Sequence, residues 1–153
     1  MPRKALFLDR DGIINVDKGY VHEPAEFEWM PGIFDLARTA RDLGAALIVV
    51  TNQSGIARGY FSIETLSAMH EKMIKLAAQH GGKFDYIAYC PHGPDDHCDC
   101  RKPLPGLIHQ IESALNVSAK GCYMVGDSLR DLQAGETAGM KPVLVKTGKG
   151  EKT

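Results

Sequence analysis

Two aspartates two positions apart, Asp9 and Asp11, stand where a short apolar run gives way to Asp9-Arg10-Asp11-Gly12. Three later stretches turn polar in a coordinated way: Thr51-Asn52-Gln53-Ser54-Gly55, Arg101-Lys102-Pro103, and Gly126-Asp127-Ser128 with Asp131 three positions on. Carboxylates brought to one place repel each other unless a cation sits among them, and an oxygen-rich site with few ligands suits magnesium held jointly with a substrate phosphate. With that charge shielded, one carboxylate can attack phosphorus to form an aspartyl-phosphate, while a second protonates the leaving oxygen and later activates water. Asp9 and Asp11 supply those two roles and Asp127 completes the magnesium site. Thr51 and neighbouring backbone N–H groups hold phosphate oxygens, and Lys102 places a point charge on the same oxygens. Taken singly, each aspartate is more often a helix cap or turn residue. The carboxylate pair, the Thr, the Lys and the further Gly-Asp point to phosphate chemistry through their combination and order. Asp131 is open between supporting the metal ligands and supporting Lys102.

A second constellation lies just ahead of Arg101, in the loop 90–100. Three of the four cysteines fall within these eleven positions, in Cys90-Pro91-His92 and Cys98-Asp99-Cys100. Cys98 and Cys100 are too close in sequence to be good disulfide partners, whereas Cys-x-His plus Cys-x-Cys supplies four ligands for a closed tetrahedral zinc site. His97 competes with His92, but the symmetric spacing favours His92. Four protein ligands leave no open position, so this zinc shapes the loop and does no chemistry. Cys122, on a strand, reads as a buried small hydrophobe.

The elements that must carry these residues follow from the apolar pattern. β-rich apolar runs at 5–8, 47–50, 86–89, 123–125 and 142–145 alternate with helix-like stretches at 33–43, 62–79, 106–115 and 129–138. Pro31-Gly32 opens the first helix, Leu43-Gly44 closes it, and Ser62 with Glu64 behind it begins the second. Leu66, Met69, Met73 and Leu76, at spacings of three, four and three, form a core stripe. The alternation predicts an α/β fold, one doubly wound parallel sheet without a large cap domain, over a single domain 1–153. In such sheets ligands bind beyond the carboxyl ends of the strands, where the polar stretches fall. Residues 148–150, Gly-Lys-Gly, lack P-loop spacing and read as a frayed terminus.

Composition narrows the classes. At 153 residues, 44% hydrophobic and 24% charged, the chain suits one ordinary globular domain. A net charge of -1 without a Lys/Arg block argues against a nucleic-acid partner. No apolar run is long enough for a membrane span or a signal-peptide core, so the expected location is the cytoplasm.

The order of motifs resembles the haloacid dehalogenase superfamily of phosphohydrolases, through Asp9-x-Asp11-Gly12, Thr51, Lys102 and Gly126-Asp127-x-x-x-Asp131. The resemblance implies Asp9 as nucleophile and magnesium ligand, Asp11 as general acid/base with its backbone carbonyl on the metal, and Asp127 as a further ligand. It also implies Thr51 and Lys102 as phosphate holders. Together with the cysteine loop, Asn15-Val16-Asp17-Lys18-Gly19-Tyr20-Val21 and the Thr51–Gly55 stretch, the chain resembles the heptose 1,7-bisphosphate 7-phosphatase family. That implies substrate contacts from Asp17, Lys18, Gly19 and Tyr20 and from Thr51, Asn52, Gln53 and Ser54, with substrate recognition by Arg101. The implied reaction removes the 7-phosphate on the way to ADP-heptose for lipopolysaccharide. Two features depart from the family: only five residues separate His92 from Cys98, and the chain ends soon after its fifth strand. The rival substrate is histidinol phosphate, whose phosphatases share the loop. A signalling receiver domain would carry its phospho-accepting Asp after the third strand, where this chain has Cys90. A phosphate-binding module without catalysis is disfavoured by the presence of both Asp9 and Asp11. The absence of a large insertion predicts a monomer with an open pocket.

Replacing Asp9 by Asn is expected to leave phosphate-ester binding intact and stop turnover. Wild-type phosphate release by that variant would remove the nucleophile assignment.

Overall fold

The computed structural model describes residues 4–93, 95–147 and 149–150. Pro94 of the cysteine loop and Gly148 of the tail lie outside the described residues. Five strands, β1 (Ala5–Leu8), β2 (Ala46–Asn52), β3 (Tyr86–Cys90), β4 (Tyr123–Gly126) and β5 (Lys141–Leu144), form one sheet in the order β3-β2-β1-β4-β5, with every pairing parallel. Helices α1 (Ile33–Asp42), α2 (Ile63–Gln79), α3 (Gly106–Leu115) and α4 (Leu129–Thr137) provide the crossovers. None of the described helices is long and apolar enough to cross a membrane.

β2 is buried along almost its whole length because both faces of the sheet are covered, and its residues sort by alternation. Ile48 and Val50 join Phe7 and Met124 against α3 (Leu107, Ile108, Ile111) and Ala134 of α4. Leu47 and Val49 join Leu8 on the other face, against Ile33, Ala37 and Ala40 of α1 and Met73 and Ala77 of α2. The apolar runs thus become strands because each residue has a core to enter. β1 lies between β2 and β4, so successive crossovers leave it in opposite directions, and a crevice opens beyond its carboxyl end.

The expected elements are all present, with shifted ends. β2 runs on through Thr51 and Asn52, which pair with Tyr89 and Cys90 of β3. These site residues are therefore held in the ladder and do not follow it. β3 likewise includes Cys90 and β4 includes Gly126. Ser62 caps α2 by accepting from Thr65 N–H at 3.1 Å. Leu76 is only half-buried, and Ala77 takes the buried place on α2. Cys122 is half-buried and precedes β4, its Sγ 3.2 Å from Ser118 O. A single 3-10 turn at Pro24–Glu26, capped reciprocally by Glu23 and Glu26, was not legible in the apolar pattern. β5 is exposed and pairs only with β4, an edge position that tolerates Pro142.

The frayed tail is a correction. Thr147 Oγ1 donates to Gly12 O at 2.7 Å and Lys149 N–H donates to Asp127 Oδ2 at 2.9 Å, so the segment folds back over two of the strand-end loops.

Five residues separate the cysteine loop from α3, yet the contact between them is close: Gly106 N–H donates to Asp99 O at 2.9 Å. A Cβ on Gly106 would lie 2.3 Å from that oxygen. Gly106→Ala is therefore expected to destabilise the fold by about 1–3 kcal/mol, read from the denaturant midpoint.

Candidate active site

Asp9 is the first residue beyond β1, and its N–H still donates to Val125 O of the neighbouring strand at 3.0 Å. The ladder fixes its main chain and Lys102 fixes its side chain. The Lys102 ammonium is 3% exposed. It donates to Asp9 Oδ1 at 2.9 Å, to Val50 O at 2.8 Å and to Asp131 Oδ1, which uses all three of its donors. Lys102 is placed in turn by Asn52, whose amide clamps its backbone: Lys102 N–H donates to Asn52 Oδ1 at 2.9 Å and Asn52 Nδ2 donates to Lys102 O at 3.2 Å. Asp131 supports Lys102 through one oxygen. The other accepts from Ser128 N–H and Oγ in the cap of α4, which resolves its role in favour of the lysine. Gly126 makes room for this arrangement, because a Cβ there would fall 2.3 Å from the Asp131 side chain.

Asp11 is held differently. Its Oδ1 accepts from Arg10 Nη2 at 2.8 Å, Arg10 Nε at 3.2 Å and Asn15 Nδ2 at 3.0 Å, and its Oδ2 accepts from Gln53 Nε2 at 3.2 Å. Gln53 Nε2 also donates to Thr51 Oγ1 at 3.0 Å, linking the Thr to the same network. Burial acts to raise the Asp11 carboxyl, but the Arg10 guanidinium, with Asn15 and Gln53, outweighs it and holds it below the usual carboxylate range. Asp9 goes the other way. Burial pushes it up to about 8 against the pull of Lys102, with Asp131 and Asp11 adding repulsion. Burial, together with Asp131 and Asp17, also raises Asp127 against the N–H of Lys149.

These shifts test the metal expectation. Carboxylate oxygens of Asp9, Asp127 and Asp131 lie within 4.8 Å of one another. Both oxygens of Asp131 are engaged by Lys102 and Ser128, so Asp9 and Asp127 are the carboxylate pair suited to a hard divalent cation, whose charge would reverse the upward shift of both. The Asp11 carboxylate is outside that group, turned to Arg10, Asn15 and Gln53. This leaves the Asp11 side chain apart from the carboxylate group, in keeping with an Asp11 that would meet a metal only through its main-chain carbonyl.

A cavity of about 490 Å³ opens over these residues. Asp9, Asp11, Asp17, Gly19, Tyr20, Thr51, Asn52, Gln53, Ser54, Arg101, Lys102 and Asp127 line it as expected, whereas exposed Lys18 does not. Arg58, Ser128, Arg130 and Lys149 also line it and were missed. Arg130 sits inside a stretch already singled out, between Ser128 and Asp131, so its charge was the available signal; Arg58 lies three residues beyond Gly55, and nothing in the sequence marked it or Lys149. Arg58, Arg101 and Arg130 all line this cavity, and burial and the charges of Arg130 and Arg58 lower the Arg101 pKa. Arg101 Nη1 donates to His92 O at 3.3 Å, tying it to the cysteine loop.

In that loop the donor atoms of Cys90, His92, Cys98 and Cys100 all lie within 4.8 Å of one another. His97, with a left-handed φ of 53°, is not in the group. Cys90 Sγ is 3.6 Å from Cys98 Sγ and 3.5 Å from His92 Nδ1, and Cys100 Sγ is 3.4 Å from the same nitrogen. A tetrahedral zinc with Zn–S of about 2.3 Å sets S···S edges of about 3.8 Å. The Cys90–Cys100 pair, at 2.8 Å, would open to reach that spacing.

Comparison with known proteins agrees with the geometry. A family model described as HAD-hydrolase-like matches residues 99–153. A D-glycero-beta-D-manno-heptose-1,7-bisphosphate 7-phosphatase of Pseudomonas putida is 48% identical over 151 residues, covering 98% of this chain and 86% of the relative. A similar enzyme of Neisseria meningitidis is 47% identical over 98% of this chain and 81% of its own length. Among solved structures, D,D-heptose 1,7-bisphosphate phosphatase from B. bronchiseptica, complexed with magnesium and phosphate, superposes with a TM-score of 0.92 at 47% identity, covering 98% of this chain and 84% of that one. The corresponding phosphatase from Burkholderia thailandensis gives a TM-score of 0.74 at 39% identity, over 99% of this chain and 83% of that one.

Asp131→Ala removes one of two carboxylates from a buried ammonium. Its expected cost is about 2–3 kcal/mol of stability together with a loss of turnover, checked by denaturation and phosphate release.

Proposed function

The chain belongs to the D-glycero-beta-D-manno-heptose-1,7-bisphosphate 7-phosphatases of the HAD-like hydrolases, and on that premise we propose that it removes the 7-phosphate of D-glycero-D-manno-heptose 1,7-bisphosphate. The observation that carries this substrate is the pairing of two anion-complementary regions in one cavity. The Asp9–Lys102–Asp127 centre takes the phosphate that reacts, and the Arg58, Arg101 and Arg130 guanidiniums face the phosphate that stays. Histidinol phosphate would bring an ammonium group to those guanidiniums, a like-charge encounter that disfavours it.

In the proposed reaction Asp9 attacks phosphorus, the bond from phosphorus to the C7 oxygen breaks, and Asp11 gives its proton to the departing alkoxide. Asp11, now a carboxylate, takes a proton from water as that water attacks the aspartyl-phosphate, which frees phosphate and restores Asp9. The incoming phosphate's charge raises Asp11 from its low resting pKa, so that it can carry the proton it donates. Thr51 and the strand-end N–H groups orient phosphate oxygens, and Lys102 shares its donors between Asp9 and the phosphate. Asp9, Asp127 and the Asp11 carbonyl would hold magnesium, which would supply positive charge to offset the phosphate oxygens. Cys90, His92, Cys98 and Cys100 would hold zinc, which would fix the loop leading into Arg101 and Lys102. The reading puts the enzyme in the cytoplasm, where its cysteines stay reduced and available as metal ligands, and as a monomer.

Phosphate release with magnesium from the heptose bisphosphate and from histidinol phosphate tests the proposal. The expected result is a preference for the heptose of about 100-fold or more in kcat/KM, lost on chelation of magnesium. Equal or faster release from histidinol phosphate would move the enzyme to the other substrate. Metal analysis is expected to find about one tightly held zinc per chain, and its removal is expected to lower the melting temperature.

A further inference from the structure

His70 is a polar residue on the core-facing side of α2, beside Leu66, Met69 and Met73, and no step of the reaction uses it. It is 6% exposed, and its Nε2 lies 3.1 Å from Nη1 of Arg10, a side chain with no exposure at all. A guanidinium can only donate, so His70 Nε2 is the acceptor and its ring proton sits on Nδ1. Burial and the adjacent Arg10 charge hold the His70 pKa down to about 3, which keeps the ring neutral and able to accept.

The remaining donors of Arg10 are directed to the reaction and to the substrate loop. Nε and Nη2 reach Asp11 Oδ1 at 3.2 and 2.8 Å, and Nη2 also reaches Val21 O at 2.6 Å, at the end of the segment that places Asp17, Gly19 and Tyr20 in the cavity. His70 anchors the one edge of the guanidinium that touches neither. Without an acceptor there, the buried Nη1 would be left unpaired, and the planar group would turn to find one, carrying Asp11 with it.

We propose that His70 is a positioning residue for the phosphatase reaction: by accepting from Arg10 it fixes the guanidinium that holds the Asp11 carboxylate in its working orientation. This rests on the reading of Asp11 as general acid/base. The effect passes through one intervening side chain, so it falls on the chemical step and leaves substrate affinity largely alone.

The test is steady-state kinetics of His70→Leu and His70→Gln on the heptose bisphosphate with magnesium, with Asp11→Asn as control and melting curves to establish folding. The Leu variant, which removes the acceptor, is expected to lower kcat by about tenfold or more while KM stays within about twofold. The Gln variant places an amide oxygen near the position of Nε2 and is expected to recover kcat to within about threefold of wild type. A folded Leu variant with wild-type kcat overturns the proposal, as does an equal loss in both variants, which would assign the effect to packing. If the Leu variant does not fold, His70→Asn takes its place, since its amide falls one bond short of Arg10. A kcat for Asn equal to that for Gln then overturns the inference. Wild-type turnover by Asp11→Asn would instead bring down the acid/base reading of Asp11, a result separate from failure of the positioning role.

Discussion

A carboxylate buried at the end of a parallel sheet is tolerable only beside a compensating charge, and here that charge is the Lys102 ammonium. Its three N–H groups meet Asp9, Asp131 and the Val50 carbonyl, so one cation binds the carboxyl ends of β1 and β2 to the start of α4. The arrangement explains several features that look independent along the chain. Gly126 has no side chain because Asp131 occupies that space, and Asn52 spends its amide on the Lys102 backbone. The cysteine loop leads directly into Arg101 and Lys102 and is packed against α3 at Gly106.

Asp9 and Asp11 are two residues apart yet sit in opposite electrostatic settings. Asp9 faces other carboxylates and is pushed up by burial, while Asp11 is surrounded by Arg10, Asn15 and Gln53 and is pushed down. The chain leaves β1 at Leu8 and bends at Arg10, so residues that would share a face in a continuing strand go to different surroundings. One carboxylate is thereby left beside Lys102 and the other carboxylates, and the other is tied to a guanidinium that also reaches Val21 and α2. Asp11, the segment ending at Val21 and α2 thus share a single buried charge. Because Lys102 is already fully engaged without substrate, it acts first as a clamp on Asp9, and phosphate must share a donor that the clamp now uses.

The Cys/His cluster and the carboxylate group answer to different constraints. The four soft donors come from eleven consecutive positions, so local spacing suffices to bring them together. The hard-ligand site draws on residues more than a hundred positions apart and exists only because β1 and β4 are neighbours in the sheet.

The sequence by itself determined the strands and helices, the Asp9–Gly12 loop and the cysteine quartet, because each is a local signal of apolar period, strand-end polarity or short ligand spacing. The ends of β2, β3 and β4 ran one or two residues longer than the apolar runs, since the ladder continues through polar residues such as Thr51 and Asn52 when a partner strand is present. Tertiary structure alone decided that Asp131 pairs with Lys102, that the Asp11 side chain goes to Arg10, Asn15 and Gln53, and that Arg58 and Arg130 line the cavity with Arg101. It alone brought Lys149 back to Asp127 and His70 to Arg10. These are pairings between distant residues whose partners depend on which side chains share a buried space, and no local pattern encodes that choice.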